Sequence, residues 1–240
     1  MRNLALPILP SARVAIAILA IILPTTTPTA AGGAEPKKGT KTPKSETPAP
    51  SEGAAGESKT ASSPMAVLKK SDGALKKLFA RRPPSWSPEA DAKRDEMRKI
   101  VAGFLDFEEL ARRSLARHWD GLTAKQRTEF VATLRDLIER SYIKQVHGSP
   151  NYDMVFEKET IDGQEADVTA TLHSVARGKK VDVAMEYKFL TKDGRWLVYD
   201  VITDEQSMLE NYRAEFGKII NKESFDALLK RMKRKLEEKE

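Results

Sequence analysis

The sequence predicts a single α+β domain in which helices enclose a curved antiparallel sheet of about four strands. Apolar residues recur at helical spacing from 65 to about 142, which indicates a series of amphipathic helices. They then alternate with polar residues from 155 to 202, which indicates strands with one buried face. Helical spacing returns from 208 onwards. Helices and strands segregated in this way along the chain are typical of α+β folds.

The N-terminal segment has the features of an export signal. Arg2 gives it a positive start, Val14–Leu23 is an uninterrupted apolar run, and small residues follow at Thr29–Ala31. Because a bilayer-spanning helix needs ~20 apolar residues, this run is too short to cross a membrane. We therefore predict a signal peptide over residues 1–31 and a periplasmic location. An uncleaved membrane anchor is the alternative.

Residues 32–64 are predicted to form a disordered tether. This segment contains no Leu, Ile, Val, Phe, Tyr, Trp or Met. It cannot bury enough apolar surface to offset the entropy lost on ordering. Residues 65–240 then form one domain. The chain has no Cys, so the stability of this domain must come from a hydrophobic core and not from disulfides.

Four helices are predicted before the sheet, each from its apolar spacing and from the residues that start or stop it. Ser87 followed by Pro88 is a typical helix start. Capping boxes at Asp106/Glu109 and Thr123/Gln126 start the next two helices. The predicted helices are 65–80, 88 to about 104, a third from Asp106 to Trp119 broken by Gly121, and a long one from Thr123 to Gly148.

The sheet is predicted from alternation and from turn residues. Its strands are an edge strand at 155–160, one around 168–172, one at 181–189 and one at 195–202, with turns at Arg177-Gly178 and Lys192–Gly194. In the last strand Asp200 falls in register with Trp196, Val198 and Ile202. Ser207 with Glu210 then caps one helix, and Asn221 is the predicted N-cap of the last helix.

The sequence offers few groups for catalysis, so we predict a protein that is not an enzyme and has no cofactor or metal. No Cys is available as a nucleophile, and His118, His147 and His173 do not have the spacing of a helical metal site. Asp200 is the one candidate for a catalytic residue, because an acid on an apolar strand face can act as a general base with a raised pKa. The other interpretation is that it accepts hydrogen bonds from neighbouring groups.

The basic composition does not indicate a nucleic-acid partner. The chain has a net charge of +6 and a pI of 9.3, but its cations are spread among many acids. The cluster at 230–235 is followed at once by acids at 237, 238 and 240. This pattern favours a solvated helix end over a phosphate-binding surface, and export argues against nucleic acid as well.

Three segments occur in the order found in a known family. They are FLDFEELARRSLARHWDGLTAKQRTEF, VDVAMEYKFLTKDGRWLVYDVI and SMLENYRAEFGKII. From Phe104 onward the sequence resembles the MlaC / toluene-tolerance family of periplasmic phospholipid-binding proteins. It departs from the family at Ala116, where Gly is common, and at Asp204–Gln206, where a Glu-Gly pair is common.

The resemblance implies a fold and a function. The fold is a sheet related to the nuclear transport factor two superfamily, with helices closing over it. The function is a monomeric carrier of phospholipid between an outer-membrane lipoprotein complex and the substrate-binding subunit of an inner-membrane ABC transporter, which maintains outer-membrane lipid asymmetry. Contact with these membrane complexes is transient. An isomerase or dehydratase that uses Asp200 and a Tyr, and a tethered scaffold with a solid core, are the alternatives.

A lipid carrier must enclose hydrocarbon. Exposing acyl chains to water costs about 0.8 kcal/mol per CH₂, so two chains of ~15 CH₂ groups would cost on the order of 24 kcal/mol. The expected cavity is about 800–900 Å³, near the upper end of ordinary ligand pockets. The alternative role of each candidate lining residue is to fill a solid core. The candidates are Phe104, Leu115, Leu134, Tyr142, Met185, Tyr187, Phe189, Val198, Met208, Leu209 and Tyr212.

The rim of such a cavity offers few convergent cations. Arg127 and Arg213 are candidates for the rim, and a fold-stabilising ion pair is the favoured alternative for both.

Overall fold

A computed structural model of the chain describes residues 62–80, 88–148, 152–176 and 179–238. The predicted order of helices, sheet and helices is confirmed. The elements are α1 (Pro64–Phe79), α2 (Pro88–Phe104), α3 (Phe107–Leu115), a 3₁₀ turn (Ala116–His118), α4 (Ala124–Gly148), β1 (Tyr152–Asp162), β2 (Glu165–Ala176), β3 (Lys179–Lys192), β4 (Arg195–Thr203), β5 (Gln206–Ser207), α5 (Met208–Lys222) and α6 (Phe225–Glu237).

Some predicted features lie outside the described residues. These are the signal peptide, the tether as far as residue 61, the start signal at Ser87 and the turn at Arg177-Gly178. Within the described part, α1 begins at Pro64, and the Ser63 hydroxyl oxygen accepts a hydrogen bond from the backbone N–H of Ala66.

The sheet is an antiparallel meander of five strands in the order β1-β2-β3-β4-β5. The extra strand, β5, has two residues and pairs only with the end of β4, so it is too short to produce an alternating pattern. The predicted hairpin between β3 and β4 is confirmed. Its two turn residues, Asp193 and Gly194, have φ values of 51° and 71°, as a type I′ turn requires.

Of the three predicted capping boxes, the two ahead of the sheet differ in the structure. At Thr123 the box is complete, because Gln126 N–H donates to the Thr123 hydroxyl at 3.2 Å and Thr123 N–H donates to the Gln126 side chain at 3.0 Å. At Asp106 only half of it forms, with Glu109 N–H donating to the carboxylate at 2.9 Å. The backbone N–H of Asp106 donates instead to the carbonyl of Val198 at 2.8 Å, which attaches the start of α3 to β4.

Two predicted helix boundaries are wrong. The helix predicted to reach Trp119 ends at Leu115, because Ala116 has φ 46° and ψ −123°, a conformation that does not continue an α-helix. Asn221 lies inside α5 and caps nothing. The cap of α6 is Ser224, whose hydroxyl accepts a hydrogen bond from Ala227 N–H at 3.1 Å.

The main core lies where the helices meet one end of the sheet, and α1 and α2 contribute to it as well as α3, α4, α5 and α6. Phe130 of α4 packs edge-on against Phe216 of α5 at 5.5 Å and contacts Phe225 of α6 at 5.8 Å between ring centroids. Arg140 of α4 fixes the far end of α6, because its guanidinium donates to the carbonyls of Lys235, Leu236 and Glu238 at 2.6–3.1 Å. These contacts make the helices of the main core a solid support for the sheet.

Candidate functional site

One face of the sheet is apolar along most of its length, and we call it the inner face. Residues that pair directly across neighbouring strands point to the same side of a sheet. The register therefore places one continuous set of side chains on the inner face. They are Tyr152, Met154 and Phe156 of β1; Ala166, Val168, Ala170, Leu172 and Ser174 of β2; Val181, Val183, Met185, Tyr187 and Phe189 of β3; and Val198 and Val201 of β4.

Burial along the inner face falls from one end to the other. At the end covered by the helices, Val168, Phe189 and Val198 are fully buried in the main core. Towards the β2–β3 hairpin a second, separate cluster follows, with apolar side chains that are only half-buried around it. We call this cluster and its surroundings the apolar floor: Ala170, Val183 and Met185 at its centre, and Met154, Phe156, Leu172, Val181, Tyr187 and Val201 around them.

Helix α1 lies against the sheet and contacts β1, β2 and β4. Its buried residues Leu68 and Leu75 are seven apart and so lie on one side of the helix. Its N-terminal end is held by Met65 N–H, which donates to the Glu159 carboxylate at 2.6 Å. Towards its C-terminal end, the Lys76 ammonium lies 3.3 Å from an Asp153 carboxylate oxygen and 5.3 Å from the centre of the Tyr152 ring. Polar contacts thus attach this helix to β1 at both ends.

The structure divides the sequence-predicted lining residues into three groups. Met185 and Tyr187 belong to the apolar floor, while Phe189 and Val198 lie on the inner face where it enters the main core. Phe104 is half-buried against the main core, and the side chain of Tyr142 lies outside the described residues. The remaining candidates are buried in the main core: Leu115, Leu134, Met208, Leu209 and Tyr212.

Most residues of the apolar floor were not among the lining residues predicted from the sequence. Leu172 and Val183 stand in the alternating patterns of β2 and β3, so the signal for them was present. Met154 and Phe156 belong to an alternation that starts at Tyr152, ahead of the predicted edge strand. A register shift after Phe156 then breaks that alternation, which hid the pattern.

Asp200 lies on the other face of the sheet from Val198, so its predicted register with Trp196 and Val198 is wrong, whereas its predicted register with Ile202 is confirmed. A β-bulge at Tyr199 adds one residue to β4, and Asp200 pairs with Lys188 while Val198 pairs with Phe189. Its carboxylate accepts hydrogen bonds from Leu209 N–H at 2.9 Å and from the Ser207 hydroxyl at 2.6 Å. The interpretation of Asp200 as a hydrogen-bond acceptor is confirmed. Both of its oxygens are committed to the start of α5.

The two arginines considered for a rim stabilise the fold. Arg213 pairs with the Glu210 carboxylate at 2.6 Å and donates to the carbonyl of Arg113 at 3.2 Å, which joins α5 to α3. Arg127 donates to the carbonyls of Trp119 and Asp120 at 3.2 and 3.1 Å, and no carboxylate takes part in these contacts. The predicted ion pair is therefore found for Arg213 only.

Burial raises the pKa values of two titratable groups on α5. Burial raises the pKa of the Tyr212 phenol well above its ordinary value, and no residue in the described ranges accepts or donates a hydrogen bond at this hydroxyl. Burial also raises the pKa of Glu215 to about 7, with Lys218 opposing the shift. A carboxyl group with this pKa is partly protonated near neutral pH.

The described residues contain neither a metal site nor a membrane span. His173 pairs with Asp182 at 2.7 Å on the exposed outer face of the sheet. Nowhere in the described ranges do three His, Cys, Asp or Glu side chains come together as ligands for a metal ion. None of the helices in this part of the chain is long and apolar enough to cross a bilayer.

The sequence pattern of a family described as MlaC protein matches residues 74–234. The chain belongs to the MlaC family. The MlaC match begins within α1 and includes the whole sheet, so the apolar floor lies inside it.

Two known proteins are similar to this MlaC-family chain. The intermembrane phospholipid transport system binding protein MlaC of Haemophilus influenzae is 24% identical over 138 residues, which are 57% of this chain and 64% of the relative. This chain therefore spans somewhat less than two thirds of that relative's length. A phospholipid-binding protein from Ralstonia solanacearum, solved in complex with a phospholipid, superposes with a TM-score of 0.60 at 17% identity, covering 71% of this chain and 94% of that one. The predicted α+β fold is confirmed by this likeness.

Proposed function

We propose that this protein is a periplasmic phospholipid carrier that is not an enzyme and needs no cofactor. It moves lipid between an outer-membrane lipoprotein complex and the substrate-binding subunit of an inner-membrane ABC transporter, and so maintains lipid asymmetry. The observation that carries the proposal is the half-covered apolar floor within a MlaC-family fold. The names of the two similar proteins, which refer to phospholipid transport and phospholipid binding, support it.

The apolar floor suits an acyl chain because its side chains are apolar and those around its buried centre are only half-buried. Moving a CH₂ group from water onto such a surface makes the free energy of binding more favourable by about 0.8 kcal/mol. Met154 and Met185 add side chains that adapt to irregular shapes. Since Phe189 and Val198 are fully buried at the closed end, we assign lipid contact first to Met185, Tyr187 and their half-buried neighbours.

The candidates in the main core have a different role in this proposal. Leu115, Leu134 and Tyr212 are at most 2% exposed, so lipid reaches them only if the helices move apart. The enzyme alternative has lost its candidate base, because the Asp200 carboxylate holds the start of α5.

Native mass spectrometry of the full chain, exported to a bacterial periplasm and purified without detergent, tests the proposal. We expect a population heavier than the protein by the mass of a phospholipid. Delipidation should remove the added mass, and incubation with phospholipid vesicles should restore it. A protein that carries no lipid in any preparation and takes up none from vesicles would contradict the proposal.

A pair of tryptophan substitutions locates the site. Leu172→Trp adds bulk at a half-buried position of the apolar floor, so it should reduce lipid uptake with little loss of stability. Leu134→Trp, the matched control, overpacks a side chain with no exposed surface and should cost ~1–3 kcal/mol of stability. Uptake from vesicles and urea unfolding report the two effects. Equal stability losses with normal uptake in both variants would favour a scaffold with a solid core.

A further inference from the structure

The polarity of the inner face changes in a definite order towards the β2–β3 hairpin. The last apolar residue on β2 is Leu172, and the next residue on the same face is Ser174, which pairs with Tyr152 and Val181. One step further, Ala176 pairs with Lys179, which is exposed. Residues two apart on a strand are ~7 Å apart. Along this line an apolar surface is therefore followed by a hydroxyl and then by a cation.

Ser174 is the unusual member of this series. It is only 8% exposed, its hydroxyl oxygen is inaccessible to solvent, and no hydrogen-bond partner for it exists in the described part of the chain. Buried polar side chains nearly always have a partner, because a buried hydroxyl without one is destabilising. Because Ser174 shares the inner face with Leu172 and Val181, its hydroxyl stands at the end of the apolar floor, where a bound lipid reaches it by displacing the side chains that cover it.

We propose that the Ser174 hydroxyl donates a hydrogen bond to a glycerol-ester carbonyl of the bound phospholipid. This inference rests on the proposed carrier function. In a diacyl phospholipid the ester groups lie between the hydrocarbon tails and the phosphate. The inner face presents matching groups in the same order, from the apolar floor through Ser174 to Lys179. The tails then point towards Phe189, and the headgroup lies at the level of Lys179.

An ester carbonyl fits the position of Ser174 better than a phosphate does. Burying an anion without a countercharge is far more costly than burying a neutral acceptor, and Ser174 carries no charge to balance one. The phosphate instead reaches the level of Lys179, where it remains in contact with water. Ser174 thus gives the site a preference for ester-linked lipids in addition to the affinity that comes from the tails.

The test compares two lipids on the full-length protein after delipidation. The probes are a fluorescent diacyl phosphatidylethanolamine and its dialkyl ether analogue, which lacks both carbonyls but keeps the phosphate and the tails. The wild type should bind the diacyl lipid about tenfold more tightly, the ratio that corresponds to one hydrogen bond of about 1.4 kcal/mol. Ser174→Ala should bind both lipids with the Kd that the wild type shows for the ether analogue.

A second measurement separates this role from a structural one. Removing an unpartnered buried hydroxyl should leave the melting temperature of the lipid-free protein unchanged or raise it, whereas removing a structural hydrogen bond would lower it. Thr169→Ala, on the outer face of the same strand, is the control and should keep the diacyl preference.

Three results would overturn the inference. They are a diacyl preference that survives in Ser174→Ala, an equal loss of affinity for both lipids in that variant, and a wild type that binds both lipids equally well. A wild type that binds neither lipid would instead refute the carrier function itself.

Discussion

Replacing Ala116 by Gly should stabilise the protein. Ala116 has φ 46° and ψ −123°, a backbone conformation that a side chain with a Cβ disfavours. A residue held in such a region costs ~1–3 kcal/mol, while a glycine loses roughly 0.5–1 kcal/mol more chain entropy on folding. The difference predicts a net gain of about 0.5–2 kcal/mol. For a domain of this size, the melting temperature should rise by roughly 1–8 °C.

Urea unfolding followed by circular dichroism measures this effect, and Ala132→Gly is the matched control. Ala132 is exposed in the middle of α4, so the same chemical change there should cost about 1 kcal/mol. The two glycine variants should therefore shift the unfolding midpoint in opposite directions with equal slopes. If Ala116→Gly destabilises the protein as much as Ala132→Gly does, the backbone at Ala116 is not strained and the reasoning fails.

Three further substitutions test the account of the fold. Glu205 has φ 65°, so Glu205→Gly should stabilise by about 0.5–1 kcal/mol; a lower melting temperature would contradict this. Asp200→Ala leaves Ser207 and Leu209 N–H without their acceptor and should cost ~2–4 kcal/mol in urea unfolding, and a loss within the error of the wild-type value would show that the cap is unimportant. Burial raises the pKa of Glu215 from 4.5 to about 7, so the folded state binds its proton more tightly than the unfolded state and stability falls as the pH rises from 4.5 through 7. Glu215→Gln should therefore stabilise the protein above pH 7 and have little effect below pH 4.5, and a pH-independent effect would refute this origin.

The helices and the hairpin between β3 and β4 were predictable because their signals are local. Thr123 with Gln126 and Ser207 with Glu210 are spacings that the sequence shows directly. The face on which Asp200 lies was not predictable, since it depends on a bulge at Tyr199 that the alternation does not reveal. A single inserted residue moves every later side chain of a strand to the opposite face.

The candidate site was predictable only in part, for a different physical reason. Met185 and Leu134 are both apolar residues at buried positions, and the sequence does not show which of them lines a lipid site and which fills the core. What distinguishes them is how far the helices extend over the sheet, which is a property of tertiary packing. The floor residues Leu172 and Val181 are half-buried because the main core ends before it reaches them.

The two departures from the family pattern fall where the backbone has a positive φ. The Gly that is common there in the family fits a backbone with positive φ, and the structure shows that backbone with Ala in place. The same holds near Asp204 and Glu205, which have φ values of 46° and 65° in a loop where the family commonly has a Glu-Gly pair. In both places a residue with a Cβ adopts a positive φ.

The most direct test of the central claim is photo-crosslinking from the apolar floor. The full chain carries benzoylphenylalanine at Leu172 of the inner face or, as a control, at the adjacent His173, which is exposed on the outer face. After irradiation in the bacterial periplasm, mass spectrometry should find a phospholipid adduct at position 172 and none at 173. No adduct at 172, or equal adducts at both positions, would contradict the claim that the inner face holds the lipid.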